Sequence, residues 1–260
     1  MAFKKERQVE AISIVAFFLM LWLPMGQYEF LVQHWMKLGV YLIPFLFLIS
    51  VKGADKQLSH DQFFLSGLML ISYIVHQFEE HWVDIYGNNY AFSGSVNSLL
   101  SSATGSSSPL LSPEGIFVIN TSLVWLVGAL SILGSPRYVF PSLCMAAIIL
   151  VNAVAHIALW ILNQQYNPGV LTSVLIFLPI AMWFYKVSID QKWAVKSLVI
   201  GSLAWSVLGH VAMVWGTVGA NHWNLFPEFV YFAVLFFVSI APFAYALMGE
   251  SRSSVTRPSS

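Results

Sequence analysis

The chain has 260 residues, of which 58% are apolar and only 9% are charged. A soluble domain usually carries about a quarter charged residues, so this composition excludes a water-soluble globule and predicts an all-α, polytopic integral membrane protein. The zero net charge gives no support for a nucleic-acid partner. The single cysteine, Cys144, excludes an internal disulfide and a cysteine-rich metal site.

Apolar runs of about 20 residues, the length that crosses the hydrocarbon core, recur along the chain. They predict about eight transmembrane helices, at residues 9–26, 35–51, 62–82, 115–134, 138–162, 169–187, 193–217 and 225–248. Pro44 interrupts the short second run, which leaves open a count of seven or a re-entrant segment. We expect one transmembrane domain over residues 1–250 and a disordered cytoplasmic tail over residues 251–260.

Lysine and arginine orient the predicted helices, because cytoplasmic loops are enriched in both. With a cytoplasmic N-terminus, eleven of the 12 basic residues fall on the cytoplasmic side and only Lys37 falls outside. Both termini are therefore predicted to be cytoplasmic. Residues 83–114 contain no basic residue and are predicted to form a flexible external loop. Its Ser/Gly-rich part, from Ser93 to Gly115, is either a plain solvated loop or a mobile lid over a site.

The third predicted helix ends in the most unusual segment of the chain, a His-Gln-Phe-Glu-Glu-His run at residues 76–81. His76, Glu79 and Glu80 are spaced i, i+3 and i+4 and so share one helical face. Ionisable groups at membrane depth are costly, and this combination is typical of a metal site or an acid/base centre. The alternative is a helix end whose charges reach water. His81 lies well round the helix from His76, and its role stays open.

A second polar pair, Asn152 and His156, lies at i, i+4 in the fifth predicted helix. The predicted topology places it at the depth of the acidic motif, towards the external face. We expect His156 to be a ligand and Asn152 to orient that ligand or the substrate, although a hydrogen-bonded core pair is the alternative. Six of the seven histidines fall in this outer layer, which indicates a cavity that opens externally.

Three further side chains are candidates for contacting the ligand residues rather than the metal itself: Tyr73, Asn120 and His210. Ordinary packing explains the tyrosine equally well, and hydrogen bonding between helices explains Asn120. Glu228 begins the eighth predicted helix, where a carboxylate also favours the helix N-terminus. The roles of His210 and Glu228 stay open.

The motif at residues 76–80 resembles the one that names the HXXEE family of small bacterial membrane proteins. Residues 166–169, Tyr-Asn-Pro-Gly, and Thr172 are similar to a later segment of that family, and the resemblance covers roughly residues 60–190. The family is largely uncharacterised, so the resemblance implies a site without a reaction. It implies a location in the bacterial cytoplasmic (inner) membrane.

Taken together, these patterns predict a membrane metalloenzyme. His76, Glu79, Glu80 and His156 would bind a divalent metal, zinc or iron. Either Glu79 or Glu80 would serve as general base and Asn152 would hold a polar substrate group, in the hydrolysis of a lipid-like or apolar substrate. The alternatives are an iron-dependent oxidase or hydroxylase, a proton-coupled transporter and a non-catalytic membrane binding protein. Membrane lipids are the expected partners, and the oligomeric state stays open.

Overall fold

The computed structural model describes residues 10, 12–16, 29–55 and 57–249. Residues 12–16 are helical, but the rest of the first predicted helix and the predicted tail at 251–260 lie outside the described residues. The described chain forms helices and their connections, without a β-strand, which confirms the all-α class. The helices are α1 (Glu29–Lys52), α2 (Gln62–His81), α3 (Ala91–Thr104), α4 (Pro113–Gly134), α5 (Phe140–Asn163), α6 (Val170–Asp190), α7 (Lys196–Asn221) and α8 (Glu228–Gly249).

Six of these helices are long and apolar enough to cross a membrane, namely α1, α4, α5, α6, α7 and α8. Among the described residues there are thus six candidate spans where eight were predicted. Helix α2 is not among the six, because its polar last turns lower its mean hydropathy. Helix α1 continues through Pro44 over 24 residues, so the proline does not interrupt the helix.

Helix α3 lies within residues 83–114, where a flexible loop was predicted, so the secondary structure of that prediction is corrected. The many serines in this segment suggested a loop, but Phe92, Val96 and Leu100 are spaced i, i+4 and i+8 and so share one helical face. Asn97 ties α3 to the returning chain, since its Oδ1 accepts hydrogen bonds from the backbone amides of Leu110 and Leu111 at 2.9 and 2.8 Å.

Successive long helices alternate in direction and bring their polar ends together. Trp35 near the start of α1 packs on His81 at the end of α2, with ring centres 5.3 Å apart. Glu228 at the start of α8 accepts a hydrogen bond from Ser112, which caps α4. We call this end of the bundle the site end.

Five of the six basic residues in the described part of the chain lie at the opposite end. They are Lys52, Arg137, Lys186, Lys192 and Lys196. Lys37 lies towards the site end, with its ammonium 4.9 Å from the centre of the Trp82 ring. This asymmetry is the one used to predict that the site end is external, and the placement of each end relative to the membrane stays a prediction.

Helix α2 is the centre of the bundle and packs against α1, α4, α5 and α6. Small residues allow close approach where it crosses its neighbours, as in other membrane helix pairs. A Cβ atom at Gly67 would overlap Ser50 Oγ of α1 and lie 2.8 Å from Ser50 Cβ. A Cβ atom at Gly128 of α4 would lie 2.7 Å from Leu70 Cδ1 of α2.

We therefore expect Gly67→Ala to lower the free energy of unfolding by about 1–3 kcal/mol, because overpacking forces α1 and α2 apart. Thermal unfolding of the detergent-purified protein measures this loss. The double variant Ser50→Gly/Gly67→Ala should recover most of it, because the obstructing side chain is removed. Gly94→Ala in α3 is the control, since nothing lies within 4 Å of its new Cβ atom. Equal stability of Gly67→Ala and Gly94→Ala would contradict the predicted packing.

Candidate metal centre

The last two turns of α2 are buried inside the bundle although they carry four ionisable side chains. His76, Glu79, Glu80 and His81 expose only 0%, 6%, 3% and 4% of their surfaces. The alternative of a helix end whose charges reach water is therefore wrong. Buried ionisable groups need compensating partners, because taking a charge out of water costs several kcal/mol.

Glu80 lies at the centre of a three-residue cluster. Its Oε1 atom is 2.9 Å from His156 Nε2 of α5 and 3.3 Å from His76 Nε2 of α2. One potential ligand atom from each of the three residues lies within 4.8 Å of the others. The two imidazole rings are nearly perpendicular, with centres 5.0 Å apart. The structure thus unites the first and second polar motifs of the sequence in one site.

The outer nitrogens of both rings are held by residues of the α5–α6 connection and the start of α6. His76 Nδ1 is 2.7 Å from Thr172 Oγ1, and His156 Nδ1 is 2.7 Å from Asn167 Oδ1. The Thr172 hydroxyl already donates its proton to Glu79 Oε2 at 2.6 Å, so its oxygen accepts from His76. The Asn167 amide nitrogen donates to the His156 carbonyl at 3.1 Å, which leaves Oδ1 as the acceptor.

Both imidazoles therefore carry their proton on Nδ1 and turn Nε2 towards the same carboxylate oxygen. A neutral ring presents a lone pair there, so two lone pairs and a carboxylate oxygen face one another unless a proton or a cation lies between them. His76 Nε2 is accordingly buried and has no hydrogen-bond partner among the described residues. Outer hydrogen bonds to Nδ1 are also how proteins fix a metal-binding histidine.

The donor set fits a divalent metal. Two imidazole nitrogens and one carboxylate oxygen are a ligand set used for both catalytic zinc and non-haem iron. The ligands of a tetrahedral zinc ion, at about 2.0–2.1 Å from it, lie about 3.3 Å apart. The separations of 2.9 and 3.3 Å around Glu80 Oε1 are close to that spacing.

Glu79, predicted as a further ligand, has a different set of partners. Its Oε1 accepts from the Tyr166 hydroxyl at 2.8 Å and the Leu171 amide at 3.3 Å. Its Oε2 accepts from the amide and the hydroxyl of Thr172, at 2.9 and 2.6 Å. These contacts do not support the prediction that Glu79 is a ligand, because its carboxylate is taken up at the N-terminus of α6, where a negative charge is favoured.

Tyr166 lies in the connection before α6, and its hydroxyl donates a hydrogen bond to Glu79. Burial, followed by its hydrogen bond to the Glu79 carboxylate, raises the pKa of the Tyr166 phenol above its ordinary value. The phenol therefore stays protonated throughout the physiological range. The sequence indicated residues 166–172 only through the family resemblance, without their contacts to the site.

Gly169 closes the same connection over the cluster. Its φ of +96° is a conformation that side-chain-bearing residues rarely adopt. A Cβ atom there would lie 2.7 Å from His156 Cε1, 2.8 Å from His76 Cε1 and 3.0 Å from Glu80 Cγ. Glycine is thus the residue that lets the backbone lie directly against all three potential ligands.

His81, whose role the sequence left open, belongs to the site. Its Nε2 lies 3.4 Å from Glu80 Oε2 and 3.3 Å from Asn120 Nδ2. Gln77 extends this network, since it donates to Asn120 Oδ1 at 2.9 Å and accepts from the Trp125 indole at 2.8 Å. Asn120 thus reaches the ligand cluster through His81, as a supporting side chain. Gln77 carries no charge and was not singled out in the sequence.

The π-helical segments 120–126 and 173–177 begin at or directly after residues of this network. Such segments are often found at functional sites, because the wider turn shifts the helical register. The first starts with Asn120 and the second directly follows Thr172. The widened turns therefore mark the two places where α4 and α6 meet the site.

The remaining predicted residues lie around the cluster rather than in it. Asn152 donates to the Tyr73 hydroxyl at 2.5 Å, so these two form a pair of their own beside His156. His210 interacts with the Ser206 carbonyl of its own helix, at 2.8 Å from Nδ1. Glu228 interacts with Ser112 and Asn221 at the bundle end.

Two cavities adjoin the site. An apolar cavity of about 300 Å³ reaches Glu80, His81 and His156, and Tyr73, Asn152 and His210 also line it. A second cavity of about 420 Å³ lies between α1, α3 and α4 and reaches His81 from another side. The cluster is therefore buried, yet it has space beside it for a bound molecule.

Fold and site together define a helical, membrane-compatible protein with a buried His–Glu–His cluster. Residues 67–184 match a family model described as "Protein of unknown function with HXXEE motif". The resemblance to the HXXEE family is thereby confirmed over this part of the chain, which contains His76, Glu79, Glu80, His156 and Thr172. No curated protein and no solved structure matches the chain at a significant level.

Gly169→Ala should destabilise the protein clearly more than Gly105→Ala does. Both glycines have positive φ, +96° and +76°, so each alanine carries a backbone cost of about 1–2 kcal/mol. Only the Cβ atom at position 169 meets other atoms, because nothing lies within 4 Å of the one at position 105. Thermal unfolding in detergent compares the two variants, and equal shifts would contradict the contact between Gly169 and the cluster.

Proposed function

We propose that this protein is an integral membrane metalloenzyme whose divalent ion is held by His76, Glu80 and His156. The observation that carries the proposal is the approach of two buried imidazole Nε2 atoms to one carboxylate oxygen. Outer hydrogen bonds fix both rings in the tautomer that binds a metal through Nε2. Glu79 supports the site indirectly, by anchoring the start of α6 that carries Thr172.

Hydrolysis is the reaction that we favour. A bound divalent ion would supply an acidified water molecule or polarise a substrate carbonyl or phosphoryl oxygen. Glu80 Oε2 and His81 Nε2 lie 3.4 Å apart, and both residues line the apolar cavity. This pair would take up the proton of the attacking water. Asn152, which lines the cavity beside His156, would hold a polar group of the substrate.

Burial within the bundle favours an apolar substrate over a large polar one. The cluster is reached through a cavity lined mainly by aliphatic and aromatic side chains, so a lipid-like compound of the bilayer is the substrate class that we propose. The gathering of basic residues at the opposite end supports placing the site towards the external face of the bacterial cytoplasmic membrane, with cytoplasmic termini.

An iron-dependent oxidase or hydroxylase is the second candidate, because the ligand set is equally compatible with iron. Two histidines and one carboxylate with open positions are typical of non-haem iron oxygenases. Iron in the purified protein, with an optical spectrum that changes on exposure to oxygen, would support oxidation. Zinc, together with metal-dependent cleavage of an ester or amide lipid, would support hydrolysis.

The metal content of the detergent-purified protein tests the ligand assignment. We expect about one ion per chain in the unaltered protein, and at least a tenfold loss of affinity in His76→Ala, Glu80→Gln and His156→Ala, because each removes a ligand. Elemental analysis after dialysis against a weak chelator measures this loss. Glu79→Gln should retain the ion, since Glu79 binds the backbone and hydroxyl groups at the start of α6.

His60→Ala is the matched control, because His60 is exposed and interacts with the neighbouring Ser59. It should retain the full metal content. Absence of metal from the unaltered protein, or full retention in Glu80→Gln, would overturn the proposal. Loss from Glu79→Gln with retention in Glu80→Gln would show that the other glutamate is the ligand.

A further inference from the structure

The cavity beside Glu80 is lined mainly by apolar side chains and includes the cluster residues among its polar ones. Its polar lining includes Glu80, His81 and His156, whereas Leu99, Leu159 and Met213 are among its aliphatic lining residues. The lining comes from α2, α3, α4, α5 and α7, so the cavity lies within the bundle rather than on one helix face. A mainly apolar ligand with a small polar group beside the cluster therefore suits this lining.

Three lining residues show where the cavity opens. Leu99 of α3, Ala155 of α5 and Val214 of α7 line the cavity and are also exposed, the leucine and the valine at 50% and 47%. The outer face of α7 beside this opening is aliphatic, with Val207 and Val211 at 50% and 57% exposed. The mouth is therefore continuous with a surface suited to the hydrocarbon core of a bilayer.

The volume limits the occupant to one chain. A methylene group takes up about the volume of a water molecule, about 30 Å³. The cavity of about 300 Å³ accordingly accommodates a hydrocarbon chain of about ten carbons. A single chain is thus the occupant that matches the volume, and a wholly polar ligand would leave the aliphatic walls without a partner.

We propose that this cavity binds a single unbranched hydrocarbon chain, which enters from the bilayer between α5 and α7 and places its polar head against Glu80 and His156. The proposal deepens the proposed function, on which it rests for the reaction at the head group. Chain binding itself requires no metal. The substrate class is therefore a single-chain amphiphile, or one chain of a lipid whose remainder stays in the bilayer.

Photolabelling tests this proposal with a probe that is independent of the metal. Detergent-purified protein is irradiated with 1-decanol that carries a terminal diazirine, and the adducts are located by mass spectrometry. We expect adducts on cavity residues such as Leu159 and Met213 that excess unlabelled 1-decanol suppresses. Ala155→Trp should abolish the suppressible adducts, because the indole fills the mouth. Ala158→Trp, on the same helix and exposed but outside the cavity lining, should retain them.

Competition by a series of unlabelled 1-alkanols distinguishes binding in the cavity from partition into the detergent micelle. Expressed against the free aqueous alkanol concentration, each methylene buried in the cavity strengthens competition by about fourfold, and this gain should stop beyond about ten carbons. Partition into detergent has no such limit. Adducts that excess 1-decanol does not suppress, or that Ala155→Trp leaves unchanged, would overturn the proposal. Suppressible adducts in a protein without metal would instead refute the metal centre and leave the chain site intact.

Discussion

Glu80 Oε1 is the atom on which the rest of the site depends, because two histidine nitrogens from different helices approach it in a water-poor interior. A carboxylate buried without compensation costs several kcal/mol, and two imidazole lone pairs beside it add to that cost. A divalent cation held among the three groups, as we propose, would remove the conflict. The surrounding contacts then have a common purpose: Thr172 and Asn167 fix the rings, and Gly169 allows the backbone to lie against them.

Much of this arrangement could be predicted from the sequence. Hydropathy predicts the apolar helices, and their alternating direction brings the ends of α2 and α5 to one depth. Helical spacing identifies His76 and Glu80, and topology adds His156. The sequence does not distinguish Glu79 from Glu80, because both lie on the same face of α2. The connection before α6 makes that distinction, since Tyr166 and the first residues of α6 take up Glu79.

Other features could not be predicted because they depend on contacts between distant segments. Serine-rich composition conceals α3, whose Phe92 packs against the His81 ring with centres 5.0 Å apart. Gln77 is an uncharged residue within the motif, and only its bonds to Asn120 and Trp125 show its role. The pairing of Asn152 with Tyr73 likewise requires the packed positions of α2 and α5.

The cavity would let a molecule from the membrane reach the buried cluster, but the proposed function depends first on a metal ion held by that cluster. X-ray absorption at the edge of the bound metal tests it most directly. We expect a first coordination shell of nitrogen and oxygen at about 2.0–2.1 Å for zinc, with the outer-shell scattering of two imidazole rings. In His156→Ala supplied with excess metal, one ring should be missing from that signal. A sulfur ligand, a shell without imidazole, or a protein that binds no metal would contradict the proposed metal centre.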